Sequence, residues 1–91
     1  MLPSALEFNA GVARERLADV AAALGQPGLT AADAVRLLRE RLGLPLRLRD
    51  AGVREDQIPP MVAQAVEDAC HRSNPRPVQA EDFERMYREA Y

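Results

Sequence analysis

The sequence predicts an all-α fold, a compact bundle of about five helices forming a single domain over residues 1–91. Three observations carry that expectation. Apolar residues recur at three- and four-residue spacings along most of the chain, the period of a helix with one buried face. Glycines fall singly where these runs stop. Two Phe, two Tyr and no Trp in 91 residues leave β-branched and aromatic side chains too thinly spread to suggest strands. That length suits one domain and is short for two. With so much alanine, a core must come from close helix packing around Leu, Val, Met and Ala.

The opening segment Leu2–Phe8 reads as a short helix, with Pro3 tolerable in its first turn because no helical hydrogen bond is lost there. Leu2, Leu6 and Phe8 are a heavy apolar load for so short a piece, and an uncovered apolar patch is expected around them. A second helix is expected from about Val12 to Leu24, with Leu17, Val20, Ala21 and Leu24 as its stripe and Gly25 as its stop. Thr30 looks like an N-cap, with Asp33 as a capping-box variant, opening a helix that carries Ala34, Val35, Leu38 and Leu42 and ends at Gly43.

Leu44, Leu46 and Leu48 alternate with Pro45, Arg47 and Arg49, which alone would signal a strand. The run is short, contains proline and has no second strand to pair with. It is read instead as one helical turn near Arg47–Asp50, ending around Gly52. Ile58, Met61, Val62, Ala65, Val66 and Ala69 then form a clean amphipathic helix, with Pro59 and Pro60 confined to its first turn. His71–Val78 is expected to be non-helical, because Pro75 and Pro77 push their predecessors toward extended backbone. A last helix runs from about Ala80 to Tyr91, with Glu81 and Asp82 at the positive end of its dipole. Phe83, Met86, Tyr87 and Ala90 make its buried face.

Bulk chemistry excludes several classes. A formal charge of −2 and a pI near 5.3 give no reason to expect a polyanionic partner. All 12 cationic residues are Arg, which points to the codon composition of the source genome rather than to anion binding. No stretch approaches the ~20 apolar residues of a membrane span. The N-terminus also lacks the layout of a signal peptide, so a cytoplasmic protein is the expectation.

The candidate sites are few. Cys70-His71 is the one pair of soft ligands, but two adjacent ligands cannot fill a tetrahedral zinc site. Adjacent side chains on a helix also point about 100° apart, so the pair fails as a catalytic dyad. Glu55/Asp56, Glu67/Asp68 and Glu81/Asp82 are sequential rather than opposed across a cleft, as acid–base chemistry needs. Arg36, Arg39, Arg41, Arg47 and Arg49 form the densest positive run. No aromatic interleaves them, and Asp33, Glu40 and Asp50 punctuate or border them. No glycine-rich phosphate loop appears. The residues alone describe a helical unit with no catalytic, cofactor-binding or metal-binding residue.

A resemblance adds more. Leu2-Pro3 with Leu6, Phe8 and Asn9 reads as "LP..L.FNA". "RLGLPLRLRDAGV" and "EDQIPPMVAQAVED" follow in order, then Asn74-Pro75-Arg76-Pro77 with Glu81-Asp82 and a terminal helix. Together these resemble the C-terminal end of the iron-containing (group III) alcohol dehydrogenases, across the whole chain. The resemblance implies the last part of the helical metal-binding domain in a dehydroquinate-synthase-like fold. It also implies an NAD(P)-linked oxidoreductase in which a divalent metal, usually iron, polarises the substrate oxygen. The family's metal ligands, one Asp and three His, lie upstream of this stretch, the last shortly before the "LP..L.FN" element. No ligand carries over, and the chain is expected to be inactive alone.

Partners implied are the remainder of the parent enzyme, or self-association through an uncovered apolar face; neither nucleic acid nor a membrane is expected. The alternative is a free-standing helical interaction module, or the small part of a split enzyme. Met1 stands where the family has a hydrophobic residue inside a continuing helix. That fits an internal translation start, a gene remnant, a proteolytic piece or an excised domain.

Overall fold

The computed structural model describes residues 1–91 throughout. It is all-helical: α1 (Leu2–Asn9), α2 (Arg14–Ala23), α3 (Ala31–Arg41), α4 (Ile58–Glu67) and α5 (Ala80–Ala90), with 3-10 turns at Arg49–Ala51, Glu55–Gln57 and Ala69–Ser73. The chain divides into two compact units, Met1–Leu46 and Arg47–Tyr91.

In the first unit α1 packs chiefly on α3, and α2 touches α3 less extensively. The core is Phe8 with Ala21, Ala31, Ala32, Ala34 and Val35. Alanine lets helix backbones approach closely, but it removes little apolar surface from water, so much of this unit's burial stabilisation rests on Phe8 and Val35. Phe8 is buried where an uncovered patch was expected; Leu2 is 57% exposed and Leu6 half-buried. The helix turns Ser4 and Phe8, four residues apart, to the same inner side, and Leu2 falls off it.

α2 begins at Arg14 rather than Val12, because Val12 and Ala13 both turn back onto the Asn9 carbonyl, at 3.1 and 3.0 Å. Its expected stripe is only partly covered. Ala21 is fully buried and Leu17 half-buried, whereas Val20 and Leu24 remain exposed.

The predicted stops hold, and the reason is geometric. Gly25 and Gly43 have φ of 77° and 66°, a left-handed conformation that other residues adopt at a steric cost. After Gly25, Gln26 N–H reaches the Ala21 carbonyl at 2.9 Å, and after Gly43, Leu44 N–H reaches that of Arg39 at 3.1 Å. With the glycine N–H groups on Ala22 and Glu40, each helix ends in a Schellman motif that satisfies its last carbonyls. At the other end of α3 the Thr30 hydroxyl accepts Asp33 N–H at 3.1 Å. The Asp33 carboxylate takes the Arg36 guanidinium at 2.8 Å instead of completing the box.

The second unit packs α4 against α5. Ile58 is fully buried and Met86 nearly so; Met61, Val62, Ala65, Phe83 and Tyr87 are half-buried around them. Pro59 and Pro60 do sit in the first turn of α4. The Arg49–Ala51 turn ends at Gly52 as expected, and Leu48 N–H ties it to the Ala90 carbonyl at the end of α5, 2.8 Å away.

Two further boundaries differ from the sequence reading. α4 stops at Glu67, not Ala69, because Asp68 goes extended (ψ 131°) and its carboxylate accepts Cys70 N–H at 2.9 Å. That local bond starts the 3-10 turn Ala69–Ser73 in place of further α-helix. His71–Ser73, expected to be non-helical, therefore lies in a 3-10 turn, and extended backbone begins at Asn74 (ψ 140°), the residue before Pro75. Gln79 N–H donates to Asp82 Oδ2 at 3.0 Å and caps α5.

Candidate functional site

Each unit has one concavity of interest. In the first, an open cleft of about 770 Å³ lies between α1, α2 and the start of α3. Leu6, Ala10, Leu17, Ala18, Leu29 and Ala32 supply apolar walls, and Glu7, Arg14, Thr30 and Asp33 the polar positions. The polar groups are largely committed to one another. Arg36 donates to Glu7 Oε1 at 2.6 Å and to Asp33 Oδ1 at 2.8 Å, linking α1 to α3. The Glu7 contact comes first among the causes that hold this guanidinium above its ordinary value. No opposed acid–base pair forms there.

In the second unit a shallower hollow of about 390 Å³ is lined by Met61, Gln64, Ala65, Asp68, Cys70, His71, Phe83 and Tyr87. This is where the Cys70-His71 pair lies. His71 Nε2 is 2.9 Å from the Val66 carbonyl, so the nitrogen carries its hydrogen and donates. The imidazole also meets the Phe83 ring edge-on, centroids 5.4 Å apart and planes at 80°. The histidine thus pins the end of α4 to α5, a structural use of the side chain. The Cys70 thiol is exposed, and a hydrogen bond and charge repulsion from Asp68 push it above its ordinary range. Such a thiol is a poor nucleophile, because only the thiolate attacks.

Three members of the acidic pairs are engaged by arginines. Glu55 pairs with Arg88 at 3.7 Å, Asp56 with Arg54 at 3.1 Å, and Asp82 with Arg85 at 3.1 Å. Arg36 is committed to α1, Arg39 donates to the Pro45 carbonyl, and Arg47 and Arg49 belong to the second unit. The capping role of Asp68 escaped the sequence reading, although an Asp two residues before the turn's first N–H acceptor-seeking position is a usable signal. The Arg36–Glu7 link, 29 residues apart, leaves no sequence signal at all.

No group of three or more His, Cys, Asp or Glu side chains converges closely enough to hold a metal ion. The residues of this chain do not fit the iron of the family it resembles.

The comparisons with known proteins agree with the helical architecture. The description "Fe-containing alcohol dehydrogenase family, C-terminal" matches residues 1–91. The chain is 40% identical to 4-hydroxybutyrate dehydrogenase of Cupriavidus necator, over 94% of its own length and 24% of that protein's. It is 32% identical to lactaldehyde reductase of Escherichia coli K12 over 100% and 26% of the two chains. It is also 33% identical to NAD-dependent methanol dehydrogenase of Bacillus methanolicus over 98% and 26%. The chain therefore spans about a quarter of the length of the curated relatives it matches. No solved structure matches it. No helix is long and apolar enough to cross a membrane. On the strength of a match that runs from its first residue to its last, this chain belongs to the Fe-containing alcohol dehydrogenase family, as a C-terminal helical region.

Proposed function

We propose that residues 1–91 act as one C-terminal helical domain of an NAD(P)-linked, iron-dependent alcohol dehydrogenase-like oxidoreductase, and that this stretch has no turnover by itself. The observation that carries the reading is the family match over the whole chain, set against relatives four times as long. The committed polar groups of the hollows support it: Glu7 pairs with Arg36, Asp68 caps a turn, and His71 holds the Val66 carbonyl. The relatives' names span 4-hydroxybutyrate, lactaldehyde, 1,3-propanediol and methanol, so the choice of alcohol rests with residues elsewhere in such an enzyme.

The test is direct. The purified chain is supplied with ferrous iron, NADH or NADPH and a panel of short aldehydes, and absorbance at the nicotinamide band is followed. No turnover is expected; turnover that copurifies with this polypeptide overturns the proposal.

A second reading, a free-standing interaction module or the small part of a split enzyme, is favoured by one observation, the number of large apolar side chains the first unit leaves in solvent. The intact mass of the native polypeptide separates the two. Several hundred residues supports the domain reading, whereas 10.0 kDa supports the module.

A further inference from the structure

We draw no further inference here: the strongest candidate, the open cleft between α1, α2 and the start of α3 where exposed Arg14 stands among Leu6, Leu17 and Leu29, is a largely apolar face and nothing in the structure shows what covers it.

Discussion

Met1–Leu46 and Arg47–Tyr91 are nearly equal in length but solve the packing problem differently. The first unit closes its helices over four buried alanines with Phe8 and Val35 as the only large members, and leaves Leu2, Val12, Val20, Leu24, Leu29, Leu38, Leu42, Leu44 and Leu46 in solvent. The second relies on Ile58 and Met86 and has one large exposed aliphatic residue, Val66. Chains of this length bury only about 60% of their unfolded surface, so core composition decides how much stability is left over. The first unit spends its alanines inside and its leucines outside. The other has its apolar residues already turned inward.

The comparison breaks most visibly in the cores. Phe8→Ala should cost about 3–5 kcal/mol and Ile58→Ala about 2–5 kcal/mol, through lost burial and the cavities left behind. Native-state hydrogen exchange should show each loss in its own unit, α1 and α3 for the first and α4 and α5 for the second. Protection lost evenly over all five helices by either substitution would mean that the chain unfolds as a single cooperative body.

The alanine packing is tested by overfilling it. Ala34 is 2% exposed, and Ala34→Leu should destabilise by about 1–3 kcal/mol because the added atoms overfill a packed core. Ala65→Leu on half-buried α4 should change stability by less than about 0.5 kcal/mol. Urea denaturation of both variants measures the pair, and equal effects would remove the distinction between the two cores.

The caps give a smaller effect. Thr30→Ala removes the acceptor for Asp33 N–H and should cost about 1 kcal/mol. Arg36→Ala, which severs a half-exposed pair of ion pairs between α1 and α3, should cost less than that. A thermal melt that ranks Arg36→Ala as the more damaging of the two would show that the bridge, not the cap, fixes the start of α3.

Helix existence was legible because periodicity and punctuation are local. Gly25, Gly43 and Gly52 stop their elements, Thr30 starts one, and Pro75 begins extended chain at the residue before it. Which face of a helix is covered was much less legible. Val20 and Leu24 share a stripe with fully buried Ala21, and Leu38 and Leu42 share one with Ala34 and Val35, yet the leucines and Val20 are exposed. Periodicity reports that a side is apolar, but not how far along that side a partner extends. The same limit applies to the hollows. The Arg36–Glu7 link joins residues remote in sequence, and nothing in either one's neighbours announces it. The early end of α4 was missed for a different reason, since one Asp–amide bond outcompeted a longer apolar repeat.

That same bond gives the most delicate prediction. The hydrogen bonds from Cys70 hold the Asp68 carboxyl below its ordinary range, and Asp68 in turn holds the Cys70 thiol above its own. At a given pH the raised thiol has a smaller thiolate fraction, so alkylation should be slower than for a free cysteine. Asp68→Asn removes the charge while keeping an oxygen that can accept Cys70 N–H. The variant should alkylate severalfold faster near pH 8, with the inflection of its rate profile moved to lower pH. An unchanged profile would show that the thiol does not feel the carboxylate. For the carboxylate the sign is opposite. A lowered folded value means that its contribution is present above about pH 4, the unfolded aspartate value, and fades as pH falls through the folded one. Both groups are fully exposed, so acidification through this pair should change α4 helicity little.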